Sequence, residues 1–383
     1  MENKQIVGDH CLRGISEDGS VKLWLANTTN LCEEGRRRHD AWSVAAAALG
    51  RLMTAGVFFG LNLKGEKDSV TLRIDGDGPL SALAVVAEAD GAVRGFVAEP
   101  HVDIPRRPDG KLAVGAAIGQ GKLTVIKDMG FGAPYSGTVD LASGEIGDDI
   151  ARYYLESEQT PAAVGLGVQI SPEGIVAAAG GFLLQVLPHA DEMVIKQLEL
   201  NLANLIPVSR MVADGFTLEE MANEVMLGVP WRELERHPLE YRCSCSRERM
   251  RGALLSLGYK EMKAISEEKD ELEIVCRFCG EKYLFGKDDM LALVRELDEE
   301  RFRRFAASLQ NNIAEQLGGQ HGCDCGCGHD HHEHGENCGC EHHHEHGENC
   351  GCEHHHGHGE NCGCEHHHGH GENCGCEHHH KEN

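Results

Sequence analysis

The last sixth of this chain cannot contribute to a hydrophobic core. From His321 to the C-terminus the only apolar side chains are cysteines, and the segment holds 20 of the 25 His and 11 of the 17 Cys. Because such a segment has almost nothing to bury, we expect residues 321–383 to be disordered unless bound metal orders them. The 383-residue chain must therefore build its folded units from residues 1–320.

The tail is repetitive and rich in metal ligands. Residues 334–381 are four tandem 12-residue repeats, each with a Cys-Gly-Cys pair and four His. Cys and His together suit Zn, Cu(I), Ni or Co, and their spacing does not choose among these metals. Metal loading is the favoured interpretation, and an inert solvated tail is the alternative. The candidate tail ligands are Cys323, Cys325, Cys327, Cys338, Cys340, Cys350, Cys352, Cys362, Cys364, Cys374 and Cys376.

Charge argues against two classes of partner. The chain has 62 acidic and 36 basic residues, and residues 1–320 alone keep 49 acidic against 35 basic. Binding to phosphates or anionic lipid needs clustered Lys and Arg, so we expect no nucleic-acid partner and no membrane partner.

The N-terminus lacks both the basic region and the apolar run that make up a secretory signal, which predicts a cytoplasmic protein. In that reducing compartment, 17 thiols indicate metal or redox chemistry.

Residues 1–188 are predicted to form an N-terminal α+β domain of mixed sheet and helix. The mostly apolar stretch 41–63 contains Arg51 and many Ala and Gly, so we predict a buried central helix, not a membrane span. A second helix is predicted at 148–157, and Gly180-Gly181 with Pro188 is predicted to close the domain. Alternating and apolar runs predict strands at 21–26, 69–74, 83–89, 93–97, 123–127, 136–141, 163–170 and 175–179.

Residues 189–242 are predicted to be a helical linker with an apolar face. Met193, Val194, Leu198 and Leu202 recur at helical spacing, and residues 217–220 form a capping box that begins a second short helix. Helices this short are marginal on their own, so we expect them to depend on docking to a neighbour.

Four body cysteines form two close pairs, Cys243-x-Cys245 and Cys276-x-x-Cys279. Two such pairs suit one tetrahedral Zn²⁺, and a closed four-thiolate shell leaves no position for a catalytic water. A redox-sensing site is the favoured interpretation. The alternatives are a zinc module with only a structural role, buried free cysteines, or a thioredoxin-type dithiol, for which the βαβ context is missing.

The predicted zinc module, residues 243–300, has few apolar residues for a core, and residues 301–320 are predicted to extend it as a helix. Metal binding then supplies much of its folding energy, about 10–16 kcal/mol in comparable modules. Thiolates are also the species that oxidants attack. Oxidation should therefore remove the metal, unfold the module and loosen the linker beside it.

Four short motifs stand out in the body of the chain: Arg242-Cys-Ser-Cys-Ser-Arg-Glu-Arg-Met250, Cys276-Arg-Phe-Cys-Gly280, Asp75-Gly-Asp-Gly-Pro-Leu80 and Ser157-Glu-Gln-Thr-Pro161. Together they resemble one family, the redox-regulated bacterial chaperone heat shock protein 33, over about residues 5–300. For the four paired cysteines, the resemblance implies disulfides joining Cys243 with Cys245 and Cys276 with Cys279 on oxidation. It further implies zinc release, linker unfolding and a change from reduced monomer to oxidised homodimer. The His/Cys tail departs from the family pattern.

The predicted function is that of a holdase, which binds unfolded or oxidatively damaged client proteins after oxidation. A metal-storage protein or metallochaperone using the tail is the main alternative, and a zinc-ribbon adaptor for nucleic acid is disfavoured by charge. No Ser-His-Asp set, phosphate loop or paired-carboxylate motif is evident, so we predict no enzymatic turnover and no catalytic residue. The body histidines, His10, His39, His101, His189 and His237, are scattered and are interpreted as ordinary surface or capped residues.

Overall fold

The structure, a computed structural model, describes the backbone of residues 8–317 and the side chains of residues 8–310. Its strands are β1 (His10–Ser16), β2 (Val21–Asn27), β3 (Ser69–Gly76), β4 (Ala82–Glu88), β5 (Ala92–Val97), β6 (Gly121–Asp128), β7 (Tyr135–Asp140), β8 (Ala162–Ile170), β9 (Val176–Val186), β10 (Trp231–Pro238), β11 (Glu240–Tyr241), β12 (Glu271–Val275) and β13 (Lys282–Gly286). Its helices are α1 (Thr29–His39), α2 (Ser43–Gly60), α3 (Val114–Ile118), α4 (Gly147–Glu156), α5 (Glu192–Asn204), α6 (Val208–Ala213), α7 (Leu218–Val225), α8 (Arg247–Ser256), α9 (Tyr259–Glu268) and α10 (Lys287–Leu317).

Two antiparallel sheets form the N-terminal part, which confirms the α+β prediction. One has five strands in the order β10-β1-β2-β9-β8. The other has six in the order β11-β5-β4-β3-β6-β7, and only the short β11 runs parallel to its neighbour. The predicted Asp-Gly turn joins β4 to β5 as a hairpin. The prediction that Gly180-Gly181 helps to close the domain is wrong, because both glycines lie inside β9, which continues to Val186.

Close packing explains why glycine occupies the middle of β9. A Cβ on Gly180 would lie 2.5 Å from the carbonyl oxygen of Ala26, and one on Gly181 would lie 2.8 Å from that of Gly165. The neighbouring strands therefore exclude side chains at these two positions. The sequence pattern of a domain end and that of a crowded central strand are the same here, since both contain glycine.

Helix α2 occupies the centre of the main core. It contacts strands of both sheets, and nearly all its residues are buried. Among the described residues, α2 is the one helix long and apolar enough to span a membrane, and 89% of that stretch is buried in the fold. The burial confirms the prediction of a central core helix.

The predicted linker packs on the outer face of the five-stranded sheet. Because side chains alternate along a strand, β2 directs Trp24 to the main core and Leu23 and Leu25 to a second one. Helices α5, α6 and α7 cover this second core with Leu198, Met211, Met221 and other apolar side chains. The capping box at Thr217 and Glu220 begins α7, as predicted.

The rest of the predicted linker is not helical. Residues 231–238 form β10, which pairs with β1 and becomes an edge strand of the five-stranded sheet. Its sequence, Trp-Arg-Glu-Leu-Glu-Arg-His-Pro, is dominated by charged residues, and its burial is low along most of its length. An edge strand with little buried surface lacks the apolar alternation that would predict it.

The cysteine-bearing segment is small. It contains α8, α9 and the two-stranded β12–β13 hairpin, and α10 follows the hairpin directly. The chain divides into two compact units between Leu291 and Ala292, inside α10. The predicted helical extension from residue 301 is the second half of this helix as far as Leu317.

Candidate metal centre

Two loops bring the paired cysteines together. Cys243 and Cys245 lie between β11 and α8, and Cys276 and Cys279 lie in the turn that joins β12 to β13. Within this turn the Gly280 amide donates to the carbonyl oxygen of Cys276 over 2.8 Å, and Gly280 has φ +74°. A positive φ is one that glycine adopts without strain, so the residue after the second cysteine closes the turn.

The four sulfur atoms form one compact cluster. All lie within 4.8 Å of one another, with 3.8 Å between Sγ of Cys243 and Cys276 and 3.3 Å between Sγ of Cys245 and Cys279. Four thiolates at about 2.3 Å from a tetrahedral zinc ion would be about 3.8 Å apart. The donor set and its spacing therefore fit a metal ion. Of the described residues, these four are the one His, Cys, Asp or Glu group close enough together to hold an ion.

Hydrogen bonds hold the pKa of the Cys245 thiol below those of the Cys243 and Cys279 thiols. Burial disfavours the thiolate of Cys245, but donors that include the Tyr283 hydroxyl, 3.1 Å away, hold the pKa of Cys245 below its usual value. Burial raises the pKa of Cys243 and Cys279, each despite one backbone amide that donates to its sulfur. Cys276 and Cys279 are the more enclosed pair, each 7% exposed.

Comparison with known proteins decides the family. The Hsp33 protein family profile matches residues 9–286. The chain belongs to the Hsp33 family. It is 45% identical over 292 residues to the 33 kDa chaperonin of Desulforamulus reducens, covering 76% of this chain and 99% of that protein. It is 43% identical over 296 residues to that of Bacillus velezensis, covering 77% and 100%.

A solved structure supports the same family assignment. The crystal structure of the 33 kDa chaperonin, an Hsp33 homolog, from Thermotoga maritima matches with a TM-score of 0.70 at 32% identity, covering 75% of this chain and 97% of that one. Hsp33 proteins are molecular chaperones and not enzymes, so the resemblance found in the sequence is confirmed. About a quarter of this chain has no counterpart in these Hsp33 relatives.

The remaining cysteines fall into two groups. Cys11 and Cys32 are each 1% exposed in the N-terminal core, and burial raises the pKa of both thiols, to about 12 for Cys32. The thiol form therefore dominates at neutral pH, which suits residues outside the metal centre. The eleven tail cysteines lie outside the described residues, so their role stays a prediction.

Three residues beside the Hsp33 cysteine cluster were missed by the sequence analysis. Tyr283 contacts the Cys245 sulfur directly, whereas Tyr241 and His39 bond the carbonyl oxygen of Phe278 between the two enclosed cysteines. His39, interpreted from sequence as an ordinary surface or capped residue, is half-buried there. It lies some 240 positions away in the chain, so no local pattern could relate it to the cysteines.

Proposed function

We propose that this Hsp33 protein is a redox-regulated holdase. The observation that carries the proposal is the cluster of four sulfur atoms, which all lie within 4.8 Å of one another. Cys243, Cys245, Cys276 and Cys279 would hold one Zn²⁺ in the reduced protein. When bound, the ion fastens the two loops together and keeps the four sulfurs as thiolates.

Oxidation removes the ligands. A thiolate attacks one oxygen of hydrogen peroxide and becomes a sulfenic acid, releasing hydroxide, which takes up a proton. A second thiol then attacks that sulfur and releases water, so two thiols and one peroxide give one disulfide and two waters. Two disulfides consume all four ligands, and the ion loses its site.

The disulfide pairing is a separate part of the proposal. Family resemblance favours bonds within each motif, Cys243 with Cys245 and Cys276 with Cys279. In the structure, sulfur–sulfur contacts of 3.8 Å and 3.3 Å instead join the two motifs, Cys243 with Cys276 and Cys245 with Cys279. We propose the pairing within motifs, because it releases the two loops from each other, whereas bonds between motifs would hold the module closed. Peptide mapping of the oxidised protein by mass spectrometry separates the two patterns.

Loss of the centre should free apolar surface. Helices α5–α7 bury Leu198, Met211 and Met221 against the five-stranded sheet, and their segment leads through β10 and β11 into Cys243. When the module unfolds, this segment loses its anchor and exposes both its own apolar face and the sheet below. Unfolded or oxidatively damaged client proteins would bind there, in the cytoplasm, with the oxidised chaperone as a homodimer.

The test measures zinc content and client aggregation together. The reduced protein should contain one tightly bound zinc per chain in the body and should not prevent aggregation of a heat-unfolded client. Peroxide or hypochlorous acid with mild heat should release that zinc and switch on the suppression. Equal suppression before and after oxidation, or suppression without zinc loss, would contradict the redox switch.

A second activity is favoured by the chain's length. About a quarter of this chain lies outside the length matched by the Hsp33 relatives, and the family match ends at residue 286, before the tail 321–383 with its 20 His and 11 Cys. We propose that the tail stores transition-metal ions, which could return zinc to the four-cysteine centre after reduction. At four ligands per ion the ceiling is about seven ions.

A further inference from the structure

The six-stranded sheet has an edge that is closed by residues next to the metal centre. Strand β11 lies against β5 in parallel, with Glu240 opposite Ala92 and Tyr241 opposite Val93. The Arg242 amide donates to the carbonyl oxygen of Val93 over 3.1 Å, and the Glu240 amide donates to that of Gly91. Since β11 has two residues and β5 has six, β11 pairs with only the first third of this edge.

Side chains close the next part of the edge. The carbonyl oxygen of Gly95 accepts a hydrogen bond from His39 Nε2 at 2.8 Å and another from the Tyr241 hydroxyl at 3.2 Å. The same two donors also bond the carbonyl oxygen of Phe278. Both partners of His39 Nε2 are carbonyl oxygens, so this nitrogen carries the proton. The cysteine-bearing turn and the edge of β5 are therefore joined through shared donors.

The Phe278 side chain covers the outward face beside this edge. Its ring lies edge-on to that of Phe96, with 6.0 Å between centroids, and the Arg94 guanidinium lies 5.9 Å from its centroid. Phe278 sits between the ligands Cys276 and Cys279, and Arg242 directly precedes Cys243. Arg242 is itself paired with Glu88 and Asp90 on the β4–β5 hairpin. The cover of the β5 edge thus consists of β11, Arg242, the turn around Phe278 and His39. Each part lies within two residues of a metal ligand or is bonded to a residue that does.

This cover has little stability of its own. A two-residue strand cannot persist without support, and the turn around Phe278 keeps its shape through the cysteine cluster. Removal of the four thiolates should release both together. The carbonyl oxygens of Gly91, Val93 and Gly95 would then face solvent along one edge of an otherwise intact sheet.

We propose that this uncovered edge of β5 is a client-binding surface, which takes an extended polypeptide segment as an added strand. The proposal rests on the redox-regulated holdase function above and adds a second binding surface to the apolar face of α5–α7 and the five-stranded sheet. The occupant's chemistry follows from what lies there already, since β11 is an extended backbone held by main-chain hydrogen bonds. Such bonds do not depend on sequence, which suits a chaperone that must accept many unfolded chains.

The outward side chains of β5 add an apolar contact. Phe96 and Arg94 point away from the core, and both lose their contact with Phe278 when the turn departs. The opposite edge of the same sheet, β7, carries exposed Ser136, Thr138 and Asp140, and no described strand pairs with it beyond β6. This second edge is a matched internal control, because it is open in both redox states.

Hydrogen exchange on the full-length protein tests the proposal directly. Amides of β5 that face β11 should exchange faster after oxidation and zinc release. They should slow again when reduced, carboxymethylated α-lactalbumin is added, a client that is unfolded and has no thiols. Amides of β7 should not change in either step. If β5 opens but client leaves its exchange unaltered while aggregation is suppressed, the edge is not the binding surface and the holdase function stands.

Two substitutions give an independent readout. Phe96→Lys places a charge beside the edge, and Ser136→Lys places the same charge at an outward position of β7. We expect the oxidised F96K protein to need roughly threefold more chaperone for the same suppression of aggregation, because charged edge residues oppose strand addition. The S136K protein should match wild type, and both should release one body zinc on oxidation. Equal suppression by F96K and S136K would overturn the proposal, whereas no suppression by any oxidised protein would overturn the holdase function as well.

Discussion

The N-terminal core and the metal module are stabilised in different ways. In the core, Trp24, Phe58 and Leu72 are each 1% exposed or less, and the sheets and α2 bury continuous apolar surface. In the module, Leu257, Val275 and Leu284 are 45–47% exposed, and the buried apolar set is short. Apolar side chains supply the packing of the core, whereas the module has little apolar packing around its four-cysteine cluster. We therefore expect a reagent that attacks sulfur to unfold the module and to spare the core.

Loss of a metal ligand should produce the largest difference between the two regions. Cys276→Ser should abolish tight zinc binding and unfold the module, since structural zinc contributes about 10–16 kcal/mol in comparable modules. Cys32→Ser is the control: Cys32 is buried near Thr28 and the Gly50 carbonyl oxygen, which can bond a hydroxyl. Zinc content and the exchange of amides in residues 243–286 measure both effects. Zinc loss of equal size in the two variants would contradict the assignment.

A cavity in the N-terminal core should destabilise the core and leave zinc binding by the module unchanged. Leu72 is fully buried on β3, and Leu72→Ala should lower the free energy of unfolding of the N-terminal core by about 3–5 kcal/mol. The reduced variant should keep one tightly bound zinc in the body, because the cysteine cluster does not depend on Leu72. Thermal unfolding and zinc content measured on the same sample check this. Loss of zinc at the temperature where the variant is still folded would show that the two regions are not separable.

Proteolysis should reveal which region opens on oxidation. Cleavage between residues 191 and 240 should accelerate after oxidation and zinc loss, because α5–α7 are short helices that depend on docking. Residues 8–186 should survive as a resistant fragment, identified by mass spectrometry. If the first cuts fell within α2 or the six-stranded sheet, the region that opens on oxidation would not be the one proposed here.

The two regions also differed in how far the sequence predicted them. In the core, apolar alternation predicted β2, β3 and β5, and a long, mostly apolar stretch predicted α2, because burial selects apolar residues at these positions. The four cysteines of the cluster were predicted as a group from their paired spacing. The edge strand β10 and the role of Gly180-Gly181 were missed, since charged edge strands and crowded glycines carry no periodic signal. Tyr283 and His39 were missed because only the folded chain brings them to the centre.

Removal of the tail should change metal stoichiometry more than chaperone activity. A protein ending at Gln320 should keep one tight zinc and lose several weaker equivalents. The tail sites must order a glycine-rich chain on each binding event, and their occupancy should fall as His protonates at lower pH. Metal titration and client aggregation should be compared for full-length and truncated protein. A truncated protein that keeps its zinc but cannot be activated would make the tail part of the switch.

The smallest predicted effect concerns the rate at which the module is attacked. The Tyr283 hydroxyl donates to the sulfur of Cys245 over 3.1 Å and so stabilises its thiolate. Tyr283→Phe removes this donor, which should raise the basicity and nucleophilicity of Cys245. Because a more basic thiolate is a stronger nucleophile, the variant should react with peroxide faster, by roughly two- to threefold.

Zinc release measured with a chromogenic chelator under excess peroxide gives this rate, and Tyr135→Phe is the matched control because Tyr135 is an exposed tyrosine on β7. The total zinc released should be the same in both variants, since the four ligands are intact. A slower release in Y283F than in Y135F would mean that the hydroxyl assists the oxidation, for instance by protonating the leaving hydroxide. The hydrogen bond would then accelerate the switch, and the module's resistance to oxidant would have to come from the enclosure of Cys276 and Cys279 instead.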